Sequence, residues 1–261
     1  IVYNGAVAAA EHTGCDVDYY WSQWNSEIMI KQFKEAVALQ PDGIAIYGFP
    51  GDAAMRPIIN EAREMGIVIT TMNTPLPDLE AELKTTGFGY AGADLFAAGF
   101  NLGKKGVEVC GLEAGDKAFV WGLASMPNRG ERTKGAIAGV ESMGVEVVYQ
   151  EIPDNVNSDA SQGTPMYVAT YSANPDIKMA ITDHGGLTAS LPTYMKAAGH
   201  GTEAVCGAGF DLSAPIVDGI NSGYIDVVID QQPFIQGYMP IVQLYLCLLY
   251  TSPSPRDPWK S

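Results

Sequence analysis

Basic residues are scarce in this chain. Fifteen Lys and Arg stand against thirty Asp and Glu, leaving a net charge of −15 over 261 residues. A surface that follows a phosphate backbone needs clustered cations, so this balance argues against nucleic-acid binding. Histidines number three and cysteines four, and Cys15, Cys110, Cys206 and Cys247 form no CxxC pair. That spacing speaks against a zinc site or a dithiol redox motif. It permits one disulfide, although isolated buried thiols are the reading it favours. Long apolar runs are missing as well. The longest, residues 239–250, contains Pro240 and Gln243 and falls short of the ~20 residues a membrane helix needs.

Catalytic and nucleotide signatures are also lacking. Neither HExxH nor GxSxG occurs. Residues 87–92 (GFGYAG) fit the GxGxxG pattern, but LKTT before them makes no convincing strand and no strand ending in an acid follows at the required distance. They read as a loop and a short strand. Residues 99–105 (GFNLGKK) imitate a phosphate loop, yet they are one residue short and carry no Ser or Thr after the Lys. These residues indicate no enzyme, no metal site and no cofactor.

What is present is an alternation of helical and apolar segments. A first helix closes at Gly14, a left-handed cap, and residues 16–21 read as a strand. Ser26 then caps a helix over 26–39, with Met29, Ile30, Phe33, Ala36 and Val37 on one face. Strands at 43–47 and 67–72 flank a helix at 53–65, a spacing that fits βαβ units. After the irregular stretch 73–92, a helix over 94–110 and a connector at 111–116, the pattern resumes. Strands fall at 117–123, 145–151, 177–182, 204–209 and 225–229, and helices at 128–143, 158–172, 187–198 and 214–222. Near-continuous apolar strands alternating with helices predict an α/β fold with parallel sheets covered on both faces. The echo of LQPDGIAIYG (39–48) in ANPDIKMAIT (173–182) fits two similar lobes.

In open sheets of this kind ligands bind beyond the carboxyl ends of the strands. Those ends deliver Trp21, Phe49, Asn73, Asn128, Asp183, Asp211 and Gln231, with Arg132 four residues after Asn128. A sugar needs paired donors and acceptors for its hydroxyls and flat aromatic faces for its ring, and this list supplies both. Each residue also has a plainer role. Asn128 could cap the following helix, Arg132 could pair with Glu131 at the surface, and Asp183 and Asp211 could each cap the next helix. Trp21, Trp24 and Trp121 are candidates for ring stacking or for core packing.

Three segments, in order, resemble the periplasmic sugar-binding proteins of ABC importers, the ribose- and galactose-binding type: NPDIKMAITDHGG (174–186), GFD (209–211) and INSGYIDVVIDQQPFIQGY (220–238). The likeness extends back almost to residue 1. It implies the type I periplasmic binding protein fold, in which two doubly wound parallel-sheet lobes are joined by a hinge. Lobe one would comprise residues 1–116 with 233–246, and lobe two 117–232, with hinges near 115–117 and 230–233. The segment SMPNRGERTKG (125–135) is similar to the family's ligand loop, which carries the sugar-binding role to Asn128 and Arg132. Asp211 matches the family's sugar-binding acid, Gln231 its hinge-strand amide and Asn73 a polar contact of lobe one. At 183–184 the family shows Asn-Asp, so Asp183 replaces an amide donor with an acceptor and His184 takes the place of the acid.

The resemblance implies a periplasmic or extracytoplasmic solute-binding protein that captures a sugar or polyol in the interlobe cleft. It would act as a monomer and deliver its ligand to a membrane ABC permease, with no nucleic-acid partner. A LacI-like transcriptional repressor's effector-binding domain shares this fold and is the alternative. Upstream of Ile1 the resemblance implies a first strand, and either a signal peptide or a helix-turn-helix would separate the two readings. Residues 247–261 (CLLYTSPSPRDPWKS) break the pattern and resemble a translated adapter sequence, which reads as a non-native tail in which the helix begun near Phe234 is not expected to continue.

Overall fold

A computed structural model describes residues 1–251. The chain divides into two compact units, Ile1–Gly92 together with the residues from Gln232 onward, and Ala93–Gln231. In the first, α1 (Val2–Thr13) closes on Gly14 at φ 73, where the absence of a Cβ removes the steric penalty. Next comes α2 (Ser26–Ala38), capped by Asn25, whose Oδ1 accepts the Ile28 N–H at 2.9 Å. The cap thus falls one residue before the expected Ser26. The chain continues through β1 (Gly43–Tyr47), α3 (Asp52–Glu64), β2 (Val68–Met72), α4 (Pro77–Leu83) and β3 (Gly89–Ala91). The three strands form a parallel sheet in the order β1-β2-β3.

The strand expected over residues 16–21 is not formed. These residues belong to neither sheet, and among the described residues β1 pairs only with β2. Composition can favour an extended segment, but a strand exists only when its N–H and C=O groups meet a neighbouring ladder. Here the segment instead lines a cavity of about 800 Å³, together with Phe33 of α2, Ile44 and Ile46 of β1, and Leu244.

The second unit runs α5 (Leu95–Cys110), β4 (Lys117–Gly122), α6 (Glu131–Glu141), β5 (Glu146–Glu151), α7 (Asp154–Ser158), α8 (Thr164–Ala173), β6 (Ile177–Thr182), α9 (Gly185–Ala197), β7 (Cys206–Phe210), α10 (Ala214–Asn221) and β8 (Val227–Ile229). Its five strands are parallel in the order β5-β4-β6-β7-β8. On β4, Phe119 and Trp121 enter a core with Tyr167, Leu187 and Tyr194. Ala118 and Val120 enter the opposite core with Leu102, Val140 and Met179. Covering on both faces explains the unbroken apolar runs.

The sequence-based boundary at 116 lies too far along the chain, because α5 belongs to the second unit. A seam of glycines sets it there. A Cβ on Gly99 would lie 1.9 Å from the Arg132 carbonyl oxygen, and one on Gly103 2.3 Å from that of Ala136. Reciprocally, Gly135 and Gly139 of α6 lie against the carbonyls of Phe96 and Phe100, each 2.2 Å from a built Cβ. Gly99 and Gly103 are the two glycines of the apparent phosphate loop, so their spacing encodes one face of a helix. The expected hinge at 115–117 is a turn inside this unit, with the Gly115 N–H donating to Gly144 O at 2.9 Å.

The chain returns to the first unit as α11 (Pro233–Thr251), which packs on α1 through the same device. A Cβ on Gly237 would lie 1.9 Å from Val2 O, and one on Gly5 2.0 Å from Phe234 O. Against expectation the helix continues through Thr251, so the first residues of the segment set aside as a tail are helical; the rest of that tail lies outside the described residues. Among the described residues no helix is long and apolar enough to cross a membrane.

Cys110 at the end of α5 and Cys206 at the start of β7 form a disulfide, with Cα atoms 5.9 Å apart and a sequence separation of 96. This corrects the preference for isolated thiols. Cysteines distant in sequence are paired by the packing of α5 under the sheet, which linear spacing does not encode. Replacing both by Ser should lower the unfolding free energy of this unit by about 2–5 kcal/mol, the range for closing a long loop, as read from urea denaturation. Gly99→Ala should cost about 1–3 kcal/mol by the same measurement, because its methyl would meet backbone rather than a movable side chain.

Candidate functional site

The strand order reverses between β4 and β6. The chain leaves β4 toward β5 on one side, and β6 continues toward β7 and β8 on the other. Connections that diverge in this way open a crevice at the carboxyl ends of the two central strands. Residues 123–130 and the first turn of α6 enter it from β4, and Asp183 enters it from β6. The Asp183 N–H donates to Trp121 O at 3.1 Å, which carries the ladder one residue past the strand and fixes the tip.

Four of the residues predicted from sequence meet here. The Arg132 guanidinium donates to Gln231 Oε1 at 2.9 Å through Nη1 and to the Asp183 main-chain oxygen through Nη2, and it lies over the Phe210 ring at 4.3 Å. Gln231 Nε2 donates to Asp211 Oδ1 at 2.7 Å, while the Gly185 N–H donates to Asp211 Oδ2 at 3.1 Å. The result is a continuous chain from Asp183 through Arg132 and Gln231 to Asp211, spanning the ends of β6, α6, β8 and β7. The N-cap positions of the following helices fall to other residues, with His184 at that of α9. Gly130 stands at the N-cap of α6 and Ser213 at that of α10 with no side-chain cap bond, and Arg132 is buried rather than paired at the surface. Asp211 does anchor a helix N-terminus, but that of α9, from a neighbouring strand.

Sequence reasoning missed Arg129 and Thr133. Arg129 is 3% exposed and its Nη2 donates to Asp183 Oδ2 and to the Asp183 main-chain oxygen. Thr133 Oγ1 donates to Asp183 Oδ1 at 2.9 Å and accepts the Leu123 N–H at 2.8 Å. Both lie inside the ligand-loop segment already singled out. The signal available was a second Arg beside a strand-end Asp, which ion-pair chemistry makes a natural partner.

Taking three charged side chains almost wholly out of water costs several kcal/mol per ion unless they satisfy one another. Burial lowers the Arg132 pKa to about 10 and the neighbouring Arg129 adds to that, so Arg132 stays protonated at neutral pH. For Asp183, burial pushes the carboxyl upward, but Arg129 and Arg132 outweigh it and the group ends below its ordinary value. His184 Nε2 is shielded from water with no hydrogen-bond partner. Burial, helped by the two arginines and opposed by Asp183, lowers its pKa to about 4. His184 is therefore neutral across the physiological range.

Backbone strain is concentrated among the predicted residues. Among the described residues seven non-glycine positions have positive φ, and Asn73 (φ 60), Asn128 (φ 56) and Asp211 (φ 74) are three of them. Asn and Asp tolerate this region best, yet each such residue costs on the order of 1 kcal/mol and is characteristic of ligand sites. Asn128 lies in the loop before α6, its carbonyl accepting the Glu131 N–H at 3.1 Å. Asn73 follows β2 in the first unit, where its Nδ2 donates to Gln236 Oε1 at 2.9 Å. Trp21 is 64% exposed in the unpaired segment of that unit, 5.4 Å from Tyr3 between ring centres. Trp121 is fully enclosed in the second unit's core, stacked on Phe119 and tilted against Tyr194. Neither indole joins the polar chain. Among the described residues no group of three or more His, Cys, Asp or Glu side chains is placed to hold a metal.

The neutral His184 makes stability depend on pH. Between about 4 and its ordinary 6.5 the unfolded chain binds a proton that the folded protein does not. Stability is therefore full above pH 6.5 and falls as pH drops toward 4, by on the order of 2 kcal/mol after allowance for partial exposure. The contribution of Asp183, whose pKa is depressed, is lost only at lower pH. Urea midpoints at pH 7.5, 5.5 and 4.5 should decline for the native protein and decline less for His184→Gln.

Comparison with known proteins follows the same lines. The chain is 22% identical to the xylose/arabinose-binding protein XylF of Sulfolobus acidocaldarius over 249 residues, covering 90% of this chain and 59% of that protein. It thus spans well under two thirds of this curated relative. Among solved structures, GanP, a glucose-galactose binding protein from Geobacillus stearothermophilus, superposes with a TM-score of 0.80 at 22% identity, covering 95% of this chain and 85% of GanP. A carbohydrate transporter solute-binding protein from Agrobacterium radiobacter, in complex with D-arabinose, gives 0.78 at 20% identity over 94% and 82% of the two chains. These similarities show the fold, an α/β fold with parallel sheets. The family model described as a periplasmic binding protein domain matches residues 1–249, and the chain belongs to that family.

Proposed function

We propose that this protein is the solute-binding component of an ABC-type importer, and that it captures a neutral sugar or polyol at the carboxyl ends of its strands. The observation that carries this reading is the chain Arg132–Gln231–Asp211 at the switch point of the second unit's sheet. A carboxylate offers about four acceptor sites. Gln231 and Gly185 occupy one on each oxygen of Asp211 and hold it in place, which leaves capacity for the protons of two sugar hydroxyls. Arg132, fixed by Asp183 and Gln231 and backed by Phe210, is a preset donor for hydroxyl oxygens. Asn128 completes the proposed polar set of the second unit, and Asn73 is proposed separately as a polar contact of the first unit. Trp21 and Trp121 are not assigned to the ligand.

Relatives that bind xylose, arabinose, glucose or galactose support the ligand class by analogy of fold. The family supports an extracytoplasmic location, and a disulfide closing 96 residues fits an oxidising compartment. We read the protein as a monomeric binder with a membrane permease as its partner, and not as an enzyme.

A thermal-shift screen with pentoses, hexoses, polyols and nucleosides tests the reading. A ligand at 100 times its Kd stabilises the native state by about 2.7 kcal/mol, so the cognate sugar should raise the melting temperature clearly. Asp211→Ala should weaken its affinity roughly 5- to 150-fold, the equivalent of one to three lost kcal/mol. A folded sample that responds to no sugar or polyol would overturn the proposal.

A further inference from the structure

The family pattern makes residue 183 a ligand contact, but the arrangement around its carboxylate is turned away from that task. Oδ1 accepts from Thr133 at 2.9 Å and faces Arg132 Nε at 3.5 Å. Oδ2 is taken by Arg129, and the Asp183 main-chain oxygen accepts from both arginines. The side chain is 3% exposed, and those of Arg129 and Arg132 are 4% and 2% exposed. A hydroxyl reaching this carboxylate would have to displace a buried guanidinium or the threonine that ties it to Leu123.

We infer that Asp183 is a positioning residue that acts on the ligand only through Arg132, and that Arg129 is its dedicated counter-ion. The inference rests on the sugar-binding reading and refines which of its residues touch the sugar. The charge arrangement supports it. Two guanidiniums share one carboxylate, so the acid at 183 and the arginine at 129 depend on each other. With an amide at 183, two buried cations would face each other uncompensated, which is far costlier than removing the pair together. Fixing Asp183 fixes Arg132, because Arg132 Nη2 bonds the Asp183 carbonyl while Nη1 reaches Gln231. Asp211 and Gln231 differ from Asp183 in being only partly buried. Arg132 is as enclosed as Asp183, but its bonds to Gln231 and to the Asp183 carbonyl use only part of its five N–H donors. These three are the groups that would meet a ligand.

A double-mutant cycle decides the matter, using Asp183→Asn, Arg129→Met and the two combined. Each variant is measured for urea unfolding without ligand and for affinity toward the sugar that gives the thermal shift. Asp183→Asn should lose roughly tenfold or more in affinity and unfold at lower urea, since it strands two cations. The combined variant should return to within about threefold of the native affinity and recover most of the midpoint, a coupling that independent sites do not show. A combined variant that regains stability but binds as weakly as Asp183→Asn would overturn the inference, because the carboxylate would then be touching the sugar. Additive unfolding effects would overturn it too, by removing the pairing. If the native protein binds no sugar, the sugar-binding reading fails and the positioning role fails with it. The unfolding cycle then still reports whether Arg129 and Asp183 are coupled.

Discussion

Beyond β4 and β6 two guanidiniums and one carboxylate lie almost out of water, and the geometry of the site follows from the need to satisfy them. Asp183 meets that need with its carboxylate and its carbonyl, Thr133 with its hydroxyl and Gln231 with its amide oxygen. Each partner comes from a different element, so the ends of β4, α6, β6 and β8 are drawn to one point. Low surrounding polarity strengthens every bond in such a network and makes an incomplete one costly. The result is a rigid Arg132, and on the proposed reading a donor already held in place loses little entropy when a ligand arrives.

The network depends in turn on a seam where glycines replace side chains. Gly99 and Gly103 of α5 and Gly135 and Gly139 of α6 let two helix backbones touch, and the contact nearest the site is the carbonyl of Arg132 itself. The seam places α6, and α6 carries Arg132 and Thr133 to the crevice. The disulfide from the far end of α5 to β7 holds the same helix under the sheet from its other end. A similar glycine contact joins α1 to α11 in the first unit. Close helix pairing is thus how both units hold a helix recruited from the edge of a domain boundary.

Much of this was legible along the chain. The unbroken apolar runs of β4, β6 and β7 identified a parallel sheet, and the polar residue after each run pointed to one functional edge. Asp183, Asp211 and Gln231 were singled out because strand ends in such folds converge whatever the loops do, and Arg132 because residues 125–135 resemble the family's ligand loop. Less legible were features that depend on a neighbour. Residues 16–21 have strand composition but no ladder beside them. Cys110 and Cys206 carry no spacing signal, and Trp121 looked as suited to a sugar ring as to the core it occupies.

The amino-acid sequence by itself determined the α/β class, the alternation of elements and the set of polar residues at the strand ends, because hydrophobic periodicity and turn chemistry are local properties. Only the tertiary structure decided that α5 belongs with the second unit, that Cys110 bonds Cys206, and that Arg129 closes on Asp183. Those outcomes turn on backbone approach, distance and shared burial between residues far apart in sequence, which no local pattern records.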